Sequence, residues 1–315
     1  MKRYKIIGIL IYVIILSLIF NTDECEHSIS GFSVHKIMDC FYENHINFEN
    51  IHTPVVAVLD TGVGENPDIK DNVIYFKDFI NNKPDCYDDN GHGTNVCGII
   101  TGNGKQSKGR YKGLSDKTDL VVLKIADSNG NIVLASFIDA LLWLDNNAEK
   151  FNIRIACMSF GFNTINSTVT IDYLDLLIKN LIDKNVLFVS SAGNRGGMDG
   201  LVTFPGSLES VITVGSINYN PKEDKDITKS IVSVFSSNKT VNKIKKPDNY
   251  APGEKLIVPG CDRNGSPIYE CVNGTSFSAA IFCGQLSISW GENYSFSSKE
   301  MKNYIKKNSK NGVLM

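Results

Sequence analysis

Three short segments of the chain each carry a side chain suited to acid–base or nucleophilic chemistry. Asp60 ends an apolar run, His92 stands between two glycines, and Ser276 opens a long apolar stretch. A serine hydroxyl is a weak nucleophile at neutral pH, so it needs a base such as histidine to accept its proton. A carboxylate can hold that histidine in the required tautomer. The three residue types together could therefore perform nucleophilic acyl transfer.

Taken singly, these signals have ordinary structural explanations. An aspartate after a strand is commonly a turn or cap residue, and a Gly-Thr-Ser sequence before a helix is commonly an N-cap. A single histidine is most often structural. The order Asp, His, Ser, with Asp60 and His92 separated by 32 residues, makes the combination informative.

The elements that must position these side chains alternate between strands and helices. Two segments, residues 133–150 and 171–184, carry apolar residues at helical spacing. Nearly uninterrupted apolar runs, typical of strands buried on both faces, occur at residues 55–59, 120–125, 153–158, 186–190 and 211–214. This alternation predicts an α/β fold with a mostly parallel central sheet and helices on both faces. Asp60 would then lie at a strand end, where the binding sites of such sheets collect.

Composition excludes several other classes of protein. The chain has 315 residues, of which 42% are hydrophobic, so it can bury a large core. Its formal net charge of -2 offers no electrostatic footprint for nucleic acid, and no nucleic-acid partner is expected. The eight cysteines lack the paired spacing of a structural zinc site.

The N-terminus has a composition of its own. Lys2, Arg3 and Lys5 precede an apolar run at residues 6–20, which is typical of a secretory signal peptide. An uncleaved membrane anchor is the alternative, although the run is short for a spanning helix. The predicted organisation is a signal peptide at 1–20, an N-terminal segment at 21–50 and one α/β domain at 51–315. The expected location is the secretory pathway, with release or display at the cell surface.

Around the three chemical residues, the motifs resemble those of a known family. Asp60-Thr61-Gly62, His92-Gly93-Thr94 and Gly274-Thr275-Ser276 are similar to the signatures of the subtilisin-like serine proteases (subtilases, peptidase S8 type), in the same order. The resemblance continues from about residue 54 to 290. It implies a subtilisin-like fold and a serine endopeptidase with Asp60, His92 and Ser276 as its catalytic triad. It also implies a protein or peptide substrate and no cofactor in the catalytic chemistry.

Two further segments resemble parts of the family's substrate site. The segment that ends in Asn194 is similar to the one whose asparagine donates a hydrogen bond to the oxyanion, which implies that role here. The segment at 157–161 resembles the strand that lines the primary specificity pocket and pairs with an extended peptide. The expected substrate-binding residues are Ser159, Phe160, Gly161 and Phe162.

Some positions depart from the family pattern. Ala280 and Ile281 replace a usual proline and histidine, and Asn95 replaces a second histidine. Phe162 is bulky where a small residue is common, so its ring could narrow or block the primary pocket. Residues 21–59 leave no room for a full propeptide. These departures keep open an alternative function, an inactive subtilisin-like protein used for binding or adhesion.

Cysteines and acidic residues add further expectations. Cys261 and Cys271 flank a turn and could form a disulfide, and Cys25 with Cys40 is a second candidate pair. Loops in this family often hold calcium, so Asp85, Asp88 and Asp89 could bind a structural calcium ion. A solvated acidic turn is the alternative interpretation of these three residues.

Overall fold

The computed structural model describes residues 31–37, 52–162, 167–239 and 243–315. The predicted signal peptide at 1–20 lies outside the described residues, as do Cys25 and Cys40. Within the N-terminal segment predicted at 21–50, the structure describes residues 31–37, which include the short strand β1 (Phe32–Ser33). This strand pairs in parallel with a strand near the end of the chain, at residues 256–257.

The remaining elements alternate as the sequence predicts. The other strands are β2 (Val55–Asp60), β3 (Val73–Asp78), β4 (Leu120–Lys124), β5 (Ile153–Met158), β6 (Leu187–Ser191), β7 (Ile212–Asn218), β8 (Ile231–Val232), β9 (Asn249–Pro252), β10 (Leu256–Cys261), β11 (Pro267–Val272), β12 (Ser309–Lys310) and β13 (Val313–Leu314). The helices are α1 (His92–Thr101), α2 (Leu134–Asn147), α3 (Thr168–Asp183), α4 (Thr275–Glu292) and α5 (Ser298–Asn308). None of the helices in the described residues is long and apolar enough to cross a membrane.

Eight of the described strands form one large sheet. Their order is β3-β4-β2-β5-β6-β7-β8, and β9 also pairs with β7. Neighbouring strands run parallel except for β7 and β8. Strands β2, β4 and β6 are buried along their whole length, which explains their continuous apolar sequences. The predicted mostly parallel α/β fold is confirmed.

Helices cover both faces of this sheet because successive residues of each strand point to opposite sides. Val56 and Val58 of β2 belong to a core cluster that also contains apolar residues of α1 and α4. Ala57 and Leu59 belong to a second cluster with residues of α2 and α3. Helix α4 is the central helix of the first cluster, and nearly every residue from its start to Trp290 is buried. The serine predicted to be the nucleophile therefore sits on a rigid, buried element.

Two sequence-based expectations differ from the structure. The polar sequence at residues 238–249 predicts a surface loop with solvated lysines, yet the Lys246 side chain is buried and its ammonium group contacts the Val211 carbonyl at 2.6 Å and Asp248 at 2.7 Å. The disulfide suggested between Cys261 and Cys271 is not formed. In the β10–β11 hairpin, Cys271 faces Ile257 and not Cys261, so the register separates the two thiols.

Candidate active site

Three neighbouring strands of the sheet end at the candidate site. Asp60 is the last residue of β2, Ser159 follows β5, and Asn194 comes three residues after β6. Because these strands are parallel, their carboxyl ends lie at one edge of the sheet. His92 is the first residue of α1 and Ser276 is the second residue of α4, so two helix N-termini also point toward this edge.

Asp60 and His92 form a direct ion-pair contact. The Nδ1 atom of His92 lies 2.7 Å from Oδ1 of Asp60, which also accepts the Thr61 backbone N–H at 2.7 Å. The Asp60 side chain is 3% exposed and that of His92 is 30% exposed. Burial works against protonation of His92, but the charge and hydrogen bond of Asp60 outweigh it and raise the pKa of His92 above its ordinary value of 6.5. The pair thus provides a histidine oriented by a carboxylate.

A hydrogen-bonded turn fixes the start of α1 and thereby the position of His92. Asp88 is buried, and its carboxylate accepts from the backbone N–H groups of Asn90, Gly91 and Thr94 and from the Thr94 hydroxyl. Gly91, the residue before the helix, has a φ of 103°, a conformation that favours glycine. Asp88 therefore replaces the side-chain cap that this helix start lacks.

This turn also bears on the expected calcium site. The Asp88 oxygens already accept four donors, and Asp89 pairs with the fully buried Lys124 at 2.7 Å. These carboxylates serve the protein's own donors, so they do not fit a calcium site in this conformation. They are not a solvated acidic turn either, because Asp88 is 2% exposed. Only Asp85 of the three is exposed.

Ser276 is bonded to the segment that follows β5. Its hydroxyl donates to the Ser159 carbonyl at 2.8 Å, and the Ser159 hydroxyl donates to the Ser276 carbonyl at 2.9 Å. The Phe277 ring, next along α4, lies 5.5 Å from the His92 ring, which brings the start of α4 beside the imidazole. A transfer of the Ser276 proton to His92 would require this hydroxyl to give up its hydrogen bond to the Ser159 carbonyl.

Asn194 is held by the residue that precedes Ser276. Its Oδ1 atom accepts the backbone N–H of Thr275 at 3.0 Å and the Thr275 hydroxyl at 2.9 Å. The same hydroxyl accepts the Gly193 backbone N–H at 3.1 Å. Because Oδ1 faces Thr275, the Nδ2 group of the exposed Asn194 lies on the opposite side of the amide. A Cβ added to Gly274 would lie 3.5 Å from this Nδ2 atom. Asn194 Nδ2 is thus a hydrogen-bond donor close to the start of the helix that carries Ser276.

A cleft of about 580 Å³ leads to the Asp60–His92 pair. Residues 129–132 form one side and residues 159–162 form the other, with Asp60, Thr61, Asn90 and His92 completing the lining. All four residues expected to bind substrate therefore border this cleft. Its shape, a groove between two chain segments, suits an extended chain better than a compact small molecule.

The two phenylalanines of this segment pack into an aromatic cluster. Phe160 meets Phe137 edge to face with ring centroids 5.3 Å apart. Phe162 lies 6.2 Å from Phe137 and 6.1 Å from Phe204, and its backbone N–H donates to the Phe204 carbonyl at 2.7 Å. These contacts anchor the wall of the cleft.

Sequence reasoning did not identify Thr275 or Lys124 as part of the site. Lys124 of β4 lies opposite Asp60 of β2 in the register of the sheet. Its ammonium group donates to the Thr61 carbonyl at 2.5 Å. A lysine within the apolar run at 120–125 was a usable signal, because a buried lysine needs a partner. Thr275 gave no such signal, since its partner Asn194 is distant in sequence.

The comparisons with known proteins agree with this geometry. The family model described as "Subtilase family" matches residues 52–314. The serine protease AprX of Bacillus subtilis (strain 168) is 31% identical over 268 residues, which cover 80% of this chain and 60% of that protein. Subtilisin Savinase of Lederbergia lenta is 25% identical over 254 residues, which cover 80% of this chain and 81% of that protein.

A solved structure shows the same fold. The S41 psychrophilic protease superposes with a TM-score of 0.70 at 24% identity, covering 88% of this chain and 90% of that one. The alignment with AprX spans only 60% of that relative's length. The family model, which matches well over half of the chain, establishes that the chain belongs to the subtilase family.

Proposed function

We propose that this chain is a serine endopeptidase that hydrolyses peptide bonds through an acyl-enzyme formed on Ser276. The observation that carries the proposal is the 2.7 Å contact of His92 with the buried Asp60 at the same sheet edge as Ser276 and Asn194. Subtilase family membership supports it.

In the proposed reaction, His92 moves every proton. It accepts the Ser276 hydroxyl proton as the oxygen forms a bond to the scissile carbonyl carbon. The carbonyl oxygen becomes an oxyanion, which accepts from Asn194 Nδ2 and the Ser276 backbone N–H. His92 then gives the proton to the leaving amine as the C–N bond breaks. Water then attacks the acyl carbon as His92 takes its proton, the bond from that carbon to Ser276 Oγ breaks, and His92 returns the proton to this oxygen.

Asp60 acts through His92 and not on the substrate. Its carboxylate fixes the Nδ1–H tautomer, so Nε2 is the basic atom, and it stabilises the imidazolium once this forms. No step of this scheme uses a metal or an organic cofactor. An extended peptide would lie in the cleft against residues 159–162, which would position the scissile bond.

The proposed location is the secretory pathway, with release or display at the cell surface. This part of the proposal rests on the basic residues at positions 2–5 and the apolar run at 6–20, and not on the family. It is tested by fractionating the producing cells and sequencing the N-terminus of the recovered protein. A new N-terminus after residue 20 in the medium is expected. An intact N-terminus in the cytosolic fraction would contradict the proposed location.

The activity is tested with a denatured protein substrate and a set of internally quenched peptides. Wild type should cleave internal bonds, and Ser276→Ala and His92→Ala should each lose roughly 10⁶-fold in kcat, the scale known for subtilisin, a member of this family. Circular dichroism must show that the variants are folded. A folded wild type that cleaves none of these substrates would contradict the proposal and favour a binding or adhesion role.

A further inference from the structure

Thr203 lies between two chain segments that border Ser276, residues 159–162 and residues 192–194. Its backbone N–H donates to the carbonyl of Ala192 at 3.1 Å. The carbonyl of the next residue accepts a 2.7 Å hydrogen bond from the backbone of the 159–162 segment. Both segments are therefore tied to the short stretch that carries Thr203.

The Thr203 side chain touches a glycine in each segment. A Cβ added to Gly161 would lie 2.7 Å from the Thr203 Cβ, and one added to Gly193 would lie 2.9 Å from both Oγ1 and Cγ2 of Thr203. Carbon atoms do not pack that closely, so both positions need glycine to make room for this side chain. Thr203 is only 8% exposed, because it occupies the gap between the two segments.

A substrate would direct one particular side chain toward this gap. The scissile carbonyl carbon must meet Ser276 Oγ, and its oxygen must face Asn194 Nδ2. The 159–162 segment touches Ser276 through the Ser159 carbonyl, and Asn194 belongs to the other segment. A residue whose carbonyl meets both Ser276 and Asn194 would lie between these two segments, and Thr203 fills the space between them. The cleft that residues 129–132 and 159–162 border does not include Thr203 in its lining.

We infer that Thr203 closes the primary specificity pocket and restricts the residue on the acyl side of the cleaved bond to glycine or alanine. This inference rests on the proposed endopeptidase function. Phe162, which the sequence suggested as the obstruction, packs its ring against Phe137, Phe160 and Phe204. The β-branched Thr203 is rigid about χ1 and is walled in on two sides, so a large side chain cannot displace it cheaply.

The test measures kcat/KM on four fluorogenic peptides that differ only in the acyl-side residue, which is Gly, Ala, Leu or Phe. For the wild type, the Ala peptide should exceed the Phe peptide by roughly 100-fold, since the pocket lacks volume for the ring. Thr203→Gly removes the obstruction and should reduce that ratio by about 10-fold or more, mainly by faster cleavage of the Phe and Leu peptides.

Two control variants separate Thr203 from other causes. Thr203→Val keeps the branched shape and loses only the hydroxyl, which is 3.5 Å from its nearest acceptor, the Ala192 carbonyl, so its preference should match the wild type. Phe162→Leu should also keep the preference. Wild-type cleavage of the Phe peptide as fast as the Ala peptide would overturn the inference and leave the endopeptidase function intact. If the folded wild type cleaves none of the four peptides and no protein substrate, both the inference and the proposed endopeptidase function are overturned.

Discussion

Thr275 donates two hydrogen bonds to the Oδ1 atom of Asn194, one from its backbone N–H at 3.0 Å and one from its hydroxyl at 2.9 Å. Thr275 directly precedes Ser276, whereas Asn194 is 81 residues away along the chain. The contact ties the proposed oxyanion donor to the helix that carries the proposed nucleophile. In the proposed reaction Thr275 would be a positioning residue, because it fixes the Asn194 amide that donates to the oxyanion.

Removing the Thr275 hydroxyl should lower kcat and leave KM nearly unchanged. Thr275→Val keeps the side-chain shape but loses two hydrogen bonds of the hydroxyl, the one it donates to Asn194 and the one it accepts from the Gly193 N–H, so a decrease of roughly 10-fold in kcat is expected. Thr275→Ser retains the hydroxyl and should stay close to wild type. Steady-state kinetics on one good peptide substrate measures both constants.

Asn194→Ala should have the larger effect, because it removes the donor itself. The expected decrease in kcat is about 100- to 1000-fold, the size measured for an oxyanion donor in subtilisin, a member of this family. If Thr275 acts through Asn194, adding Thr275→Val to Asn194→Ala should cause little further loss. Multiplicative losses in the double variant would contradict the positioning role.

The pH dependence of kcat/KM should show an acid limb governed by His92. The neutral imidazole is the base, so activity is present above the pKa of His92 and is lost as pH falls through it. Because Asp60 raises that pKa, the limb should have its midpoint above pH 6.5. Asp60→Asn should move the midpoint down and lower kcat by roughly 10⁴-fold. A wild-type midpoint at or below the ordinary histidine value would contradict the Asp60–His92 contact.

Asp88 should make stability depend on pH. Burial raises the pKa of its carboxyl, but the bonds from the Asn90, Gly91 and Thr94 groups outweigh burial and set it below 3.8. A lowered pKa means that the contribution is fully present above pH 3.8 and is lost as pH falls through the folded-state value. Asp88→Asn should lower the free energy of unfolding by about 2 kcal/mol at pH 7, and by less at acid pH.

Urea unfolding at pH 7 and at about pH 2, well below 3.8, measures this difference. The exposed Asp85 offers a matched control, since Asp85→Asn should change stability by less than about 0.5 kcal/mol at either pH. If the difference in the free energy of unfolding between wild type and Asp88→Asn is the same at both pH values, the ionised carboxylate is not what fixes the start of α1.

The Lys124–Asp89 pair should matter for both stability and activity. Lys124 is fully buried, whereas the Asp89 side chain is 34% exposed. Asp89→Ala leaves the buried ammonium group with the Thr61 carbonyl and the face of the Tyr87 ring, 4.9 Å away. We expect a loss of about 2 kcal/mol, below the roughly 3–5 kcal/mol for a fully buried pair, because Asp89 is partly solvated.

A double variant tests whether the lost stability comes from the stranded charge. Asp89→Ala with Lys124→Met removes that charge at similar volume and should recover much of the stability measured by urea unfolding. Activity of the double variant should be reduced, since the Thr61 carbonyl beside Asp60 has lost its ammonium donor. A double variant less stable than Asp89→Ala would show that Lys124 contributes independently of its partner.

The strands and the main helices could be predicted because their signals are local. A nearly uninterrupted apolar run such as 120–124 predicts a strand buried on both faces. The proposed triad could be singled out because each member sits in a motif with a definite order. Contacts between distant segments carry no such local signal. How strands and loops are brought together decides the burial of Lys246, the Thr275–Asn194 bond and the position of Thr203 between residues 159–162 and 192–194.

The hairpin cysteines illustrate the same limit. Cys261 and Cys271 flank a turn, which suggested that they meet, but pairing across a hairpin depends on register. The observed register sets Cys261 opposite Pro267, so Cys271 lies several residues along the partner strand. In the same way, the acidic sequence suggested a calcium site or a solvated turn. The Asp88 carboxylate instead accepts hydrogen bonds from backbone N–H groups that only the folded turn brings together.

The most direct test of the proposed triad is covalent labelling of Ser276 with a fluorophosphonate, followed by peptide mapping. An activated serine reacts with this probe and an ordinary serine does not. The account predicts one labelled peptide containing Ser276 in the wild type, and no label in folded Ser276→Ala or His92→Ala protein. Folded wild-type protein that stays unlabelled, or that is labelled at another serine, would contradict the assignment of Ser276 as the nucleophile.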